Sequence, residues 1–515
     1  MIQMQPDTSK AALPPLQYRT LLLLLLLFGV ATRLAHYFSN RSLWLDEASL
    51  AISIVDRSYP DLLTRLEYDQ SAPPLFLWIE KLAIQLFGNH EYALRFFPLL
   101  SGLAALLLFY KLARRYATSL AVPIAIALFA SLKYLVFYAA ETKPYSTDMA
   151  LALLLFLLLV PHRDRPLPKR QILTYGLLGA VSIWLSFPIV FVLAGIEIVG
   201  FLARPRKLKA ILLNRWPMYL TWSVSFISLY RFFIIPATSS QSLSNWWAFS
   251  YPDSPFDWVW GFDTLGQFFY RPLGFLNFTD GVAIFAFVCG CIALYRQDKW
   301  KLAVLIAPLL VTLTAAYLHQ YPFHGRLVLF LAPFALIAIA EGAAALLSQL
   351  QARSRKAKAI GLFGAIVSIM LVLPPLLYSG QRLLNPSLYH FDHLRPAVHY
   401  IQARRQPVDT IHIFPRAHRP FLYYARQLGL SPADYSLGRV NAPNADELAG
   451  ELGDRYRQDI AQFRDRDRVW FLIARKSEAT QAALLAELDR FGSRRDAFAQ
   501  PDVLACLYDF SSPAR

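Results

Sequence analysis

Long apolar stretches separated by short basic loops set the pattern of the chain up to about residue 380. Windows such as TLLLLLLLFGVATRLAHYF and AIGLFGAIVSIMLVLPPLLY approach the roughly 20 residues a helix needs to cross a hydrocarbon core of about 30 Å. The pattern predicts eleven spans, near residues 18–37, 92–112, 118–137, 147–160, 171–186, 188–203, 217–235, 279–295, 302–318, 327–347 and 360–379. Between the first two, EASLAISIVDRSYPDLLTRL and PPLFLWIEKLAIQLFG show helical spacing and predict helices lying in the interface plane within the loop 38–91.

Beyond residue 380 the period changes. DTIHIF, RVWFLIA and DVLACLYDF read as strands rich in β-branched and aromatic residues. FLYYARQLGL, NADELAGELGDRYRQDIAQF and SEATQAALLAELDRF read as helices between them, with Asn444 and Glu447 spaced as a capping box. The expected architecture is therefore a polytopic α-helical membrane module over residues 1–379, followed by a small α/β domain over 380–515.

Composition agrees: 56% of residues are hydrophobic and the mean hydropathy is +0.36. The net charge of +16 changes the picture only through its placement. Lys111, Arg114 and Arg115 form one cluster, Arg163 to Arg170 a second, Arg204 to Arg215 a third, Arg296 to Lys301 a fourth and Arg353 to Lys358 a fifth. Each follows an apolar run, as the positive-inside rule requires of cytoplasmic loops. The charge is thus topological, and nucleic acid is not expected as a partner. The N-terminus is expected in the cytoplasm, in a multi-pass protein of the inner membrane, and the C-terminal domain outside. The three cysteines form neither a disulfide framework nor a zinc spacing.

The predicted outer loops concentrate the candidate chemistry. RSLWLDEA places Asp46 and Glu47 side by side just after the first span, and AAETKPYSTD holds Glu141, Lys143 and Tyr145. HQYPFHGR holds Tyr321, His324 and Arg326, and the loop 236–278 is dense in tryptophan. Acids, cations and an apolar path would suit glycosyl transfer from a polyprenyl-phosphate sugar: a carboxylate deprotonates the attacking hydroxyl, and cations receive the departing phosphate. Each residue also has a plainer reading. Asp46 and Glu47 fit the first turn of a helix, where the macrodipole favours acids, and Arg326 fits a side chain snorkelling from a span end. The outer loops hold enough carboxylates and histidines for a divalent metal ion, without a spacing that requires one.

Taken in order, WLDEA, APPLFLWI, ALRFFPLLSGL, AAETKPYSTDMALALLL and YPFHGRLVLFLAP resemble the bacterial members of glycosyltransferase family 39. These are relatives of the dolichyl-phosphate-mannose–protein mannosyltransferases, with the GT-C membrane fold. The resemblance runs over roughly residues 15–380. It implies an inverting membrane glycosyltransferase of hexosyl or pentosyl groups, with a polyprenyl-phosphate-linked sugar as donor and a protein, lipid or glycan hydroxyl as acceptor. It implies further that Asp46 is the general base, that Glu47 orients it and that Glu141 shapes the site. Arg326 would contact the lipid phosphate, with Lys143, Tyr145, His324 and Tyr321 beside it. A transporter or flippase of lipid-linked sugars is the rival reading; such folds often carry paired internal repeats, which this sequence does not show.

Overall fold

The computed structural model describes residues 14–163, 165–238, 247–275, 278–464, 466–500 and 502–511. Part of the tryptophan-dense loop, residues 239–246 and 276–277, lies outside the described residues. Contacts divide the chain into two units. The first holds residues up to 38, 58–88 and 92–385; the second holds 39–57, 89–91 and 386–515.

The first unit is helical. Among the described residues seven helices are long and apolar enough to cross a membrane: Pro15–Phe38, Glu91–Tyr116, Tyr145–His162, Thr279–Gln297, Lys299–Tyr317, Gly325–Gln351 and Arg355–Leu384. A bent pair, Ala121–Ser131 and Lys133–Ala140, makes an eighth if taken as one span, with a bend of 58°. The kink falls at Leu132, which is extended (φ −61°, ψ 130°). The count of eleven is not reached by length and composition, for an identifiable reason. Lys169–Leu185 and Ile189–Ala203 have only 17 and 15 residues. Leu208–Leu229 starts nine residues before the expected position and carries Lys209 and Arg215 within it. Arg215, expected in a cytoplasmic loop, is instead buried and pairs with Glu197 at 2.9 Å, with Tyr219 donating to the same carboxylate at 2.7 Å.

The span Gly325–Gln351 is the centre of this unit, since nearly all of its apolar window is buried. Its neighbour Thr279–Gln297 comes close enough for backbones to touch. A Cβ on Gly290 would lie 1.7 Å from the Ala338 carbonyl oxygen, and one on Gly342 would lie 1.8 Å from that of Ala286. Small residues at facing positions permit this approach, where dispersion rather than water drives helix association.

The second unit is built on a five-stranded mixed sheet of order β2-β1-β3-β5-β4. Its strands are β1 Thr410–Ile413, β2 Tyr435–Leu437, β3 Arg468–Ala474, β4 Ser493–Gln500 and β5 Val503–Asp509. β2, β1 and β3 run parallel, whereas β5 is antiparallel to both β3 and β4. The parallel strands need crossovers, supplied by the helices His418–Gln427 and Glu451–Ala461. The expected helix over 444–463 is split: Asn444 and Glu447 form the capping box around a short 3-10 turn, and the α-helix restarts after Gly450. Leu394–Arg404 and Glu478–Leu488 complete the helices of the C-terminal part. β3 and β5 are buried along nearly their whole length, as central strands are.

The helix Leu45–Asp56 belongs to this unit by contact. Residues Glu47 to Ile54 are buried without interruption. The helix is therefore enclosed on every side, unlike a surface helix with one polar face.

Candidate functional site

In the second unit the acid pair divides by environment. Trp44 sits at the N-cap in an extended conformation, and Asp46 and Glu47 both occupy the first helical turn. Glu47 is wholly buried, and its Oε2 lies 2.9 Å from Nη1 of Arg41, whose side chain is also wholly buried. The Arg41 guanidinium covers the Phe391 ring at 4.9 Å and donates to the Ser42 carbonyl at 3.2 Å. Burying two charges is tolerated only where each is paired and hydrogen-bonded. Asp46, in contrast, is half-buried. Glu47 is thus a buried, paired acid one residue away from the half-buried Asp46.

Close by in the same unit, Asp392 adopts φ +46° and pairs with Arg475 at 3.2 Å. Burial pushes its carboxyl up to about 6; Arg475 opposes the rise, Asp502 adds to it, and Arg41 and Arg416 oppose it. Because the folded value lies above the unfolded one, the folded state holds the proton more tightly. Stability is then full below about pH 4 and falls as pH rises towards about pH 6. Asp392→Asn, which mimics the protonated acid, should stabilise this unit by roughly 2–3 kcal/mol above about pH 6 and by little below about pH 4. Thermal unfolding of both forms across that range checks this, and an unchanged or lower midpoint of the variant at neutral pH would contradict it.

In the first unit the residues from the other two motifs come together. Glu141, Lys143 and Tyr145 are all buried where the chain turns from the kinked span into the helix Tyr145–Leu159. Lys143 Nζ donates to Gln70 Oε1 at 2.6 Å, and its backbone N–H donates to the Glu141 carbonyl at 2.7 Å. The Tyr145 ring meets Tyr138 edge-on at 5.0 Å and lies 5.7 Å beneath the Arg326 guanidinium. This is cation–π geometry. Gly325, at φ +51°, makes the turn that presents His324 and Arg326, a conformation that costs glycine little.

Tyr321 packs on Phe191 at 5.0 Å and donates to the Leu327 carbonyl at 2.8 Å. Burial holds its hydroxyl well above the usual range, with Asp148, Tyr145 and Tyr251 adding to the rise. His324 faces Phe249 at 4.9 Å. Burial and then the charges of Arg271 and Arg326 lower its pKa, which favours a neutral imidazole. His324, Arg271 and Thr264 line a shallow surface cleft. A second shallow cleft lies among Arg65, Gln70, Ser71 and Phe232.

Sequence reasoning passed over several of these groups. Asp148, quoted within its motif but given no role, is buried in the first turn of its helix; an acid inside an apolar run was its signal. Lys133 was another. It stands at the kink, 5.4 Å from the Tyr134 ring and 5.9 Å from that of Tyr378, which Arg382 covers at 3.7 Å. Arg271 and Arg382 both bear on Lys133 electrostatically. Among the described residues no group of three or more His, Cys, Asp or Glu is placed to hold a metal ion.

Residues 71–235 match the family model described as dolichyl-phosphate-mannose-protein mannosyltransferase. That segment contains Glu141, Lys143 and Tyr145. No match to a curated protein sequence was found. Among solved structures, the chain is similar to ArnT from Cupriavidus metallidurans bound to undecaprenyl phosphate, at 12% identity, covering 96% of this chain and 98% of that one, with a TM-score of 0.48. It is also similar to the oligosaccharyltransferase AglB from Archaeoglobus fulgidus in complex with an inhibitory peptide and a dolichol-phosphate: 11% identity, 95% and 74% coverage, TM-score 0.48. A third is the arabinofuranosyltransferase AftD from Mycobacteria, at 15% identity, 98% and 40% coverage and a TM-score of 0.42. The chemistry proposed below rests on the family match and on this chain's own residues.

Proposed function

We propose that the protein is an integral-membrane glycosyltransferase that moves a hexosyl or pentosyl group from a polyprenyl-phosphate carrier to an acceptor hydroxyl on the non-cytoplasmic face. The observation that carries this is the family match over residues 71–235. The half-buried Asp46, held beside a fully buried ion pair, supplies the carboxylate such a reaction needs. Asp46 takes the proton as the acceptor oxygen bonds to the anomeric carbon. The bond from that carbon to the phosphate oxygen breaks, and polyprenyl phosphate leaves with the electron pair. A single displacement of this kind inverts the anomeric centre. The leaving group is a weakly basic phosphate, so no general acid is required, and positive charge stabilises it. Arg326 takes that role, its guanidinium fixed over Tyr145. His324, as a neutral ring, supplies a donor rather than further charge, and the Tyr321 hydroxyl, whose proton goes to the Leu327 carbonyl, braces the loop that carries Arg326. The acceptor is a protein, lipid or glycan, and the N-terminus is cytoplasmic.

Purified protein in lipid nanodiscs, given synthetic polyprenyl-phosphate sugars, should form polyprenyl phosphate and glycosylated acceptor in equal amounts. Movement of the labelled lipid between leaflets without transfer would contradict the proposal. Arg326→Ala should weaken donor binding by roughly 10- to 100-fold, the cost of about 1.5–3 kcal/mol for a hydrogen bond to a charged group. Unchanged donor affinity in a direct binding measurement would move the phosphate contact elsewhere.

A further inference from the structure

The four residues before Trp44 are held by an unusual concentration of hydrogen bonds, all from residues of the second unit. Arg395 Nη2 donates to the Asn40 carbonyl at 2.7 Å. The backbone N–H of Ser42 lies 3.1 Å from His393 Nδ1, and Ser42 Oγ lies 2.9 Å from the same nitrogen. Ser42 Oγ in turn accepts from the backbone N–H of Arg395 at 2.9 Å. The backbone N–H of Leu43 donates to Tyr424 Oη at 2.7 Å. That hydroxyl passes its own proton towards Glu91 Oε1 at 2.8 Å, which Arg395 Nη1 also meets at 2.6 Å.

The directions of these bonds fix their chemistry. A backbone N–H can only donate, so His393 Nδ1 accepts and the ring carries its proton on Nε2. Tyr424 accepts from Leu43 and donates to Glu91, so its hydroxyl is used in both directions. A buried network in which each member is satisfied rigidifies the backbone it grips. What it grips is the extended segment leading into the turn that carries Asp46. Further along the same helix, Arg419 donates to Ser49 Oγ at 3.2 Å and Arg426 pairs with Asp56. The helix is thus secured at its beginning, middle and end by one α/β scaffold.

We infer that this α/β unit is part of the transfer machinery, with His393, Arg395 and Tyr424 acting as positioning residues for Asp46. The inference rests on Asp46 being the general base, as proposed above. The physical reason is that general-base catalysis requires the carboxylate within hydrogen-bond reach of the attacking hydroxyl. A displacement of about 1 Å can cost on the order of a hundredfold in rate. The first helical turn takes its position from residues 40–43, and these take theirs from the three side chains.

The test uses the full-length protein in nanodiscs and compares wild type, His393→Ala, His393→Asn and Tyr424→Phe. Asn places its Oδ1 near the position of the imidazole Nδ1 and can accept from the Ser42 N–H, so it is the conservative variant. His393→Ala and Tyr424→Phe should each lower kcat by about 10- to 100-fold with the KM for the donor unchanged. His393→Asn should recover most of the lost kcat. A purely structural role would lower the thermal midpoint without separating kcat from KM, and wild-type kcat in the folded fraction of Tyr424→Phe and His393→Ala would overturn the inference. Should His393→Ala fail to fold, Tyr424→Phe, which keeps the buried ring, decides alone by the same split. If the wild type itself transfers no sugar from any polyprenyl-phosphate donor, the proposed function fails and this inference with it. If the wild type transfers and the variants match it, only the inference fails.

Discussion

Asp46→Asn is expected to lower kcat by roughly 10²–10⁴-fold, the usual contribution of a positioned general base, while donor affinity is retained. The amide keeps the shape of the carboxylate and can still hydrogen-bond an acceptor hydroxyl, but it cannot take the proton. The structure makes the expectation sharper than the motif alone. Of two adjacent acids, Glu47 is enclosed and paired with Arg41, whereas Asp46 is half-buried. Asparagine matches aspartate in size and shape, so this substitution should leave the fold intact and act on the chemical step. Isothermal binding of the donor together with steady-state turnover separates the two effects. A variant that turns over at the wild-type rate would return Asp46 to the plainer role of an acid at a helix start.

The converse holds one residue on. Glu47→Ala leaves the Arg41 guanidinium charged and buried, and breaking such a pair costs about 3–5 kcal/mol. The variant is expected to lose the second unit's thermal stability by that order and to lose activity as a consequence, with kcat per folded molecule much less affected. Replacing both partners, Arg41→Met with Glu47→Leu, removes the stranded charge and should recover much of the stability, because similar-volume apolar replacements of buried pairs are often tolerated. Thermal unfolding followed by limited proteolysis within the second unit, whose strand β3 is buried in the folded state, reads both outcomes. Equal destabilisation in the single and double variants would show that shape at this site, and not charge pairing, is what Glu47 supplies.

These two adjacent positions illustrate where sequence reading succeeds and where it stops. The helical period around Asp46 is local, so the helix Leu45–Asp56 was legible, as was Pro74–Phe87, although the expected helix ran on to Leu66, where the structure has only the 3-10 turn Asp61–Leu63. β1, β3 and β5 were legible because central strands read as continuous apolar runs. β4, with the sequence SRRDAFAQ, lies at a sheet edge with alternating exposure, and β2 has only three residues, so neither leaves such a run. Three of the eleven expected spans, those over 171–235, fall on helices that are short or carry charge, so length and composition alone do not mark them as bilayer-crossing. Arg215 shows the limit: its charge counts towards a loop until Glu197 is seen beside it.

The grouping of residues 39–57 with 386–515 had no local signal at all. The bond from Ser42 to His393 joins positions 351 residues apart, and no periodicity records such a contact. The same is true of Arg326 over Tyr145, although both motifs had been singled out for their chemistry. Ordered motifs thus singled out most of the candidate groups, while their burial and pairing are visible only in the structure. Glu47, implied by the resemblance as the acid that orients Asp46, is buried and paired with Arg41, and Lys133 and Arg382 both lie over the Tyr378 ring.

The most direct test of the account is mass spectrometry of lipid-linked sugars and envelope glycans from cells carrying the wild-type protein or Asp46→Asn. The account predicts that a polyprenyl-phosphate sugar accumulates in the variant while one envelope glycan loses a single sugar residue, which names the donor and acceptor together. Identical profiles, under conditions where the wild type is shown to be active, would contradict it.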